Sequence, residues 1–242
     1  MFLTVVIPTY NEAENLPKLV SALLDQPLPE FSILVVDDDS PDGTGDIADA
    51  LAERYPGQIS VMHRAGKQGL GTAYIQGFQK AIRDGADLIA QMDADFSHSP
   101  RKLVEMYEAI EDCDVVIGSR YVQGGKLDER WPLWRKALSL FGNLYAQAIL
   151  MVPVKDLTAG FRLWRRAALM GMPLEKVRSN GYAFQVEMAY IAHRLGYTIK
   201  EIPIYFAERN VGQSKMSFQI QSEAAIRVWQ LLWEYRDLKP VK

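Results

Sequence analysis

Short apolar, β-branched runs, each closing on a polar or acidic loop and most leading into a helical pattern, constrain this chain more than any other feature. Residues 2–7 make the first run, and Pro8-Thr9-Tyr10-Asn11-Glu12 then leads into a helix expected over 13–24. Residues 32–36 make the second, broken by Asp37-Asp38-Asp39-Ser40-Pro41-Asp42-Gly43-Thr44 before a helix over 46–55. A shorter strand over 58–63 precedes a helix over 69–84; a buried strand starting at Asp87 precedes a helix over 102–111; Val115-Val116-Ile117 is a fifth strand. Strands alternating with helices predict right-handed βαβ crossovers and an α/β fold, its mostly parallel sheet covered by helices on both faces. Ligands in such folds bind beyond the carboxyl ends of the strands. That rule brings Tyr10, Asp38, Asp93 and Asp95, far apart in sequence, to one rim.

The fourth strand ends in Asp93-Ala94-Asp95. Two readings fit. Hard divalent cations take oxygen ligands from one or two carboxylates plus substrate phosphates, so the pair suits Mg²⁺ or Mn²⁺ held against a diphosphate. Alternatively Ser97 or Ser99 before Pro100 starts a helix and the acids make an ordinary polar turn. Other nucleotide motifs are missing: there is no Gly-x-x-x-x-Gly-Lys-Ser/Thr, and Gly69-Leu70-Gly71-Thr72-Ala73-Tyr74 lacks the third glycine of the dinucleotide fingerprint. In Arg64-Ala65-Gly66-Lys67-Gln68-Gly69-Leu70-Gly71, glycines ahead of a helix permit close backbone approach while Lys67 and the helix amino end favour an anion; equally, the glycines serve only the turn.

Composition narrows the partners. A chain of 242 residues, 48% hydrophobic and 24% charged, can bury a substantial core, and one domain is expected. A net charge of −3 gives no global attraction to nucleic acid, so none is expected as a partner. The lone Cys113 excludes an intrachain disulfide, no Cys/His zinc site is expected from it and three histidines, and Cys113 reads as core filler. No secretory pattern opens the sequence and no apolar run reaches the roughly 18 residues that a membrane span requires, so a cytoplasmic location is expected. The block over 131–152, with Trp131, Trp134, Phe141 and Tyr145 interrupted by Arg135, Lys136 and Asn143, is amphipathic; it suits a core helix or one lying at a lipid interface. Residues 156–162 read as a polar loop, 182–195 as a helix, and 198–206 as an edge strand, because Pro203 bars a central position. A flexible basic loop over 208–215 and a closing amphipathic helix over 218–235 complete the chain.

Taken together, Pro8-Thr9-Tyr10-Asn11-Glu12, Val35 to Thr44, Gly69-Leu70-Gly71, Asp93-Ala94-Asp95, Gly118-Ser119-Arg120-Tyr121 and Gly160-Phe161-Arg162 resemble the family 2 glycosyltransferases, specifically the dolichol- or polyprenol-phosphate mannosyltransferases. The resemblance runs from residue 2 to about residue 217. It implies a GT-A nucleotide-sugar fold over 1–216, with 217–242 as an amphipathic helix packed on or extending it. It also implies GDP-mannose as donor, a polyprenyl monophosphate as acceptor, and Mg²⁺ or Mn²⁺. Pro8, Tyr10, Glu12, Val36, Asp38, Lys67, Gly69, Asp93 and Ala94 would line the nucleotide site, with Asp38 accepting from the base or ribose; Asp93 and Asp95 would hold the metal. Arg120, Arg135, Arg209 and Lys215 would bind the acceptor phosphate and diphosphate. Many relatives carry Gln where this chain has Ser97. Some relatives carry membrane helices beyond this domain, so this chain is expected to meet its lipid at the cytoplasmic face through amphipathic segments, a separate membrane subunit, or both.

These residue types suit one-step chemistry. A phosphate monoester carries about −1.5 to −2 charges near neutrality, so it is already a nucleophile and needs no dedicated base. The protein has to bring two anions together and stabilise charge on the departing diphosphate. The expected course is an in-line displacement with inversion, giving β-mannosyl phosphoryl polyprenol. The alternatives are a relative using another nucleotide sugar such as UDP-glucose, and a non-catalytic nucleotide-binding scaffold.

Overall fold

The computed structural model of the chain describes residues 1–208 and 218–241. In chain order the elements are β1 (Leu3–Thr9), α1 (Leu16–Leu24), β2 (Phe31–Asp37), α2 (Thr44–Arg54), β3 (Ile59–His63), α3 (Leu70–Arg83), β4 (Leu88–Gln91), α4 (Lys102–Ala109) and β5 (Val115–Ser119). There follow β6 (Lys126–Leu127), α5 (Leu133–Leu150), β7 (Arg162–Arg165), α6 (Arg166–Gly171), α7 (Gly181–Arg194), β8 (Ile199–Pro203), β9 (Tyr205–Phe206) and α8 (Phe218–Glu234). Seven strands form one sheet in the order β3-β2-β1-β4-β7-β5-β8, while β6 and β9 pair in a small ribbon. Every pairing is parallel except those of β7, which runs antiparallel to both β4 and β5.

Alternation along the strands divides the core into two layers. On β1, Val6 packs into the layer that holds Tyr74 and Phe78 of α3, Phe184 and Met188 of α7, and Leu231 of α8. Leu3, Val5 and Ile7 join the other layer with Leu16, Leu19 and Leu23 of α1 and Leu103 and Met106 of α4. Side chains alternate between faces at a period of two, and each fully buried aliphatic residue contributes about 1.5–3 kcal/mol. The parallel α/β sheet anticipated from the sequence is therefore what forms, with β8 and its Pro203 at the edge.

Two local expectations are corrected. The first helix begins at Leu16 rather than Ala13, because Asn11 takes a left-handed φ of 61° and Glu12 closes a turn by accepting from the amides of Asn15 and Leu16. Pro17 then fits the helix's first turn, where no amide donor is needed. The larger difference is β7. Residues 156–162 read as a polar loop, yet Asp156, Leu157, Phe161 and Arg162 have no solvent exposure, and Arg162 opens a strand in the middle of the sheet. A four-residue strand bounded by arginines gives no apolar run to detect.

Gly77 of α3 faces β1 so closely that an added Cβ would overlap Val6 Cγ1 and lie 3.2 Å from Val36 Cγ2. Alanine normally favours a helix over glycine, but here the overlap dominates. Gly77→Ala is expected to cost about 1–3 kcal/mol of unfolding free energy, measured by urea denaturation.

Candidate active site

The registers fix where the strands end. Thr9 of β1 lies opposite Asp37 of β2, and Val6 lies opposite Gln91 of β4, so Tyr10, Asp38 and Asp93 all follow strand exits at one edge. This is where the strand order reverses, β1 standing between β2 and β4. Crevices form at such switch points. Because β7 runs the other way, the loop that precedes it arrives at the same edge, Arg162 pairing with Gln91 and Ile117. The rim therefore draws on both halves of the sequence.

Two neighbouring acids after β2 have different tasks. Asp37 is 1% exposed and accepts from Thr9 Oγ1 at 2.9 Å, Ser40 Oγ at 2.6 Å and Ser40 N at 3.0 Å, which pins the loop. Asp38 is also buried, and its Oδ1 is held by the Arg64 guanidinium. Burial lifts the Asp38 pKa, and the Arg64 charge and hydrogen bond pull back against that lift. Arg64 also donates to Thr72 Oγ1 at 2.6 Å and to Gln68 Oε1 at 3.3 Å, tying β2's exit to the start of α3. Lys67 Nζ, from the same loop, sits 3.8 Å from the centre of the Tyr10 ring. Glu12 is fixed nearby, its amide donating to Thr44 Oγ1 and its carboxylate accepting from Asn15 Nδ2.

The acids after β4 sit in a prepared pocket. Tyr74 donates its hydroxyl to Asp93 Oδ1 at 2.7 Å. Its ring has no exposure and stacks on Phe184 and Phe78, while burial and the neighbouring Asp93 raise its pKa well above the ordinary tyrosine range. Tyr74 therefore remains a donor throughout the neutral range. Asp93 Oδ2 lies against Gly160, where a Cβ would stand 3.4 Å from that oxygen, 3.5 Å from His98 Cε1 and 3.6 Å from Gln185 Nε2. Asp95 is 4% exposed and accepts from the Ser97 amide at 2.9 Å, across a turn in which Phe96 takes a φ of 60°. A non-glycine residue in this left-handed region stores strain at a point where the chain must present two carboxylates.

This donor set fits a hard divalent cation. Among the described residues, no group of three or more His, Cys, Asp or Glu side chains converges on one point. The remaining ligands of an ion held by Asp93 and Asp95 would be phosphate oxygens and water, the pattern of Mg²⁺-type nucleotide sites rather than of an all-protein cage.

The basic residues separate into distinct environments. Arg120 was expected at the acceptor phosphate, yet it is 6% exposed and its Nε and Nη2 fork onto Asp156 at 2.7 and 2.6 Å. Its amide also donates to Asp156 and its Nη2 to Thr158. Burial works against the charge, but Asp156 outweighs it and the Arg120 pKa is raised. An incoming phosphate would have to displace a bidentate carboxylate, so in this arrangement Arg120 binds β5's exit to the loop carrying Gly160. Arg162 fixes the same loop from below through Ala159 O at 3.0 Å and Leu157 O at 2.8 Å. Arg135 is more accessible: its guanidinium lies 3.7 Å from the Trp131 ring centre and 3.5 Å from Glu208 Oε1. Arg209 and Lys215 lie outside the described residues. Sequence reasoning passed over Tyr74, Arg64, Asp156 and Gln185 as site residues. Arg64 carried a signal, standing beside Lys67 in a glycine-rich stretch, whereas Tyr74 looked like any apolar helix position.

One rim of a mostly parallel sheet thus carries buried acids, a cation-bearing glycine loop and an Asp-x-Asp turn. Residues 4–171 match the Glycosyl transferase family 2 profile, and the chain belongs to that family. An undecaprenyl-phosphate mannosyltransferase of Micrococcus luteus is 46% identical over 236 residues, covering 97% of this chain and 96% of that protein. A polyprenol monophosphomannose synthase of Mycolicibacterium smegmatis is 45% identical over 225 residues, 93% of this chain and 84% of that one. In fold, the chain is similar to mannosyl-3-phosphoglycerate synthase from Rubrobacter xylanophilus, with a TM-score of 0.70 and 18% identity over 100% of this chain and 77% of that one. It is similar also to Mycobacterium tuberculosis glucosyl-3-phosphoglycerate synthase in complex with Mn²⁺, UDP and glucosyl-3-phosphoglycerate, with a TM-score of 0.66 and 16% identity over 96% of this chain and 79% of that one. The fold is the GT-A glycosyltransferase fold.

Removing the hydroxyl that orients Asp93 tests the pocket directly. Tyr74→Phe keeps the stacked ring, and it is expected to weaken Mn²⁺ affinity about 10-fold, measured by titration of the metal with nucleoside diphosphate present.

Proposed function

We propose that this chain transfers mannose from GDP-mannose to a polyprenyl monophosphate in a single inverting step, working at the cytoplasmic face of a membrane. The observation that carries the reading is the near full-length likeness to two proteins, one named an undecaprenyl-phosphate mannosyltransferase and the other a polyprenol monophosphomannose synthase. The site's chemistry supports it. The acceptor phosphate attacks as an anion, so no side chain has to remove a proton. The protein's work is to hold two mutually repelling anions in line. Arg135, stacked on Trp131 and reachable from solvent, is suited to one of them; Arg209 and Lys215 are assigned to the same task by sequence. Lys67 and the amino end of α3 suit the nucleotide diphosphate, beside Pro8, Tyr10 and Gly69. Asp93 and Asp95 would hold Mg²⁺ or Mn²⁺, which when bound supplies positive charge to the leaving diphosphate. Arg120 then acts by shaping the acceptor-side loop through Asp156, a positioning role in place of the direct contact expected from sequence.

Exposed apolar side chains support contact with lipid. Trp134, Phe141, Leu144 and Met151 project from α5 and its end, and Ile226, Trp229 and Trp233 project from α8. The two helices are joined through Tyr145, which donates to Ala225 O and accepts from Trp229 Nε1. Asn143, Ala146 and Leu150 bury the opposite side of α5, so the helix serves the core on one face and presents aromatics on the other. No helix of the described residues is long and apolar enough to cross a membrane. An interfacial seat, with tryptophans at headgroup depth, fits this pattern.

The assay offers GDP-mannose and UDP-glucose separately, with Mn²⁺ and a short polyprenyl phosphate. Transfer is expected from GDP-mannose, lost on chelation and restored by Mn²⁺. Asp95→Ala is expected to lower kcat by about 10²–10³-fold, the scale of removing one preorganised group that stabilises developing charge. An α-linked product by NMR would overturn the single displacement, and turnover with UDP-glucose alone would overturn the donor.

A further inference from the structure

One buried charge has no part in this chemistry. Glu187 of α7 has no exposure, and donors from three segments converge on it. These are the Ser179 amide at 2.8 Å, the Arg178 amide at 3.4 Å, Arg227 Nη2 at 3.0 Å and the Tyr235 hydroxyl at 2.6 Å. Arg227 of α8 also donates through Nε to Ser179 Oγ at 2.8 Å and pairs with Glu234 at 2.8 Å. A single guanidinium thus joins α7, α8 and the 178–180 loop. Taking such a pair out of water gains little stability over apolar packing of the same volume, so stability is a weak explanation for its presence. Its geometry offers a better one.

The loop it grips lies directly on the donor side of the site. A Cβ on Gly71 would stand 2.5 Å from the Ser179 carbonyl oxygen, and one on Gly69 would stand 2.6 Å from Asn180 Oδ1. Gly71 is therefore required by the 179 backbone, while Gly69 is required by its φ of 99°, which only glycine adopts readily. Gly69 and Gly71 open α3, whose approach segment carries Arg64, clamped to Asp38, and Lys67 over Tyr10. Resting on the donor assignment above, we infer that Glu187, Arg227 and Ser179 are positioning residues for the 64–72 segment. Through the 178–180 loop, the ion pair sets the height of α3's first turn, and with it the place of the groups that receive the nucleotide diphosphate. The helix bearing Trp229 and Trp233 is thereby tied rigidly to the nucleotide side of the crevice.

The test compares wild type with Arg227→Lys, which keeps the charge but loses the fork, and with Ser179→Ala, which removes one bond of the relay. Leu169→Ala, a core truncation in α6, serves as a control for stability loss. Amide hydrogen exchange of residues 64–72 in the unliganded protein is read first, then the Kd for GDP and for UDP with Mn²⁺. The two relay variants are expected to exchange faster in that segment and to bind GDP about 5–10-fold more weakly, while the control loses thermal stability with the segment unchanged. Unchanged exchange in both relay variants, or a loss that the control reproduces, would overturn the inference. Faster exchange in both relay variants, with neither nucleotide bound even by wild type, would uphold the positioning and remove the donor assignment instead.

Discussion

Parallel pairing of β1 with β2 on one side and β4 on the other is the constraint on which the site depends. It sends Tyr10, Asp38 and Asp93 out of the sheet at one edge, and no side-chain interaction is needed to gather them. What side chains add is direction. Tyr74 turns Asp93, Arg64 holds Asp38, and Gly160 leaves room beside the Asp93 carboxylate. Backbone topology sets position to within several ångströms, and buried hydrogen bonds set the rest.

Three ion pairs, each on a buried carboxylate, recur in this role: Arg64 with Asp38, Arg120 with Asp156, and Arg227 with Glu187. Each joins segments distant in sequence. Apolar contacts would hold those segments together equally well but would tolerate sliding, because dispersion and burial are not directional. Arg120 forks onto Asp156, where two donors must meet two oxygens at once, and Arg64 and Arg227 each spread directional donors over several partners, so none of the three tolerates sliding. The charges are thus explained by geometry more than by strength.

The strand alternation and the rim were legible in the sequence because parallel strands buried on both faces read as continuous apolar runs, and because Asp93-Ala94-Asp95 interrupts one of them at its end. β7 was not legible. Its Leu163 and Trp164 fill opposite layers of the core, but four residues flanked by Arg162 and Arg165 carry neither a run nor a period. Missing it hid the reason that Gly160 reaches Asp93. The roles of individual arginines were equally hidden: Arg120 stands in a motif beside a strand end, and nothing local announces that Asp156, 36 positions later, has claimed its fork. Partners chosen by tertiary contact leave no trace in a local pattern, whereas strand exits do.

The reversed direction of β7 has a consequence for how such a scaffold can diversify. Because the strand enters at the rim and leaves at the far pole, its entry segment is anchored by Arg120, Arg162, Asn143 and Glu201, outside the β1–β2–β4 frame. Changing its exposed residues Met151, Pro153 and Lys155 would reshape that side of the rim without altering a single rung of that frame. The architecture thus gives the rim two walls of different origin, one set by parallel strand pairing and one by side-chain bonds to a single inbound segment.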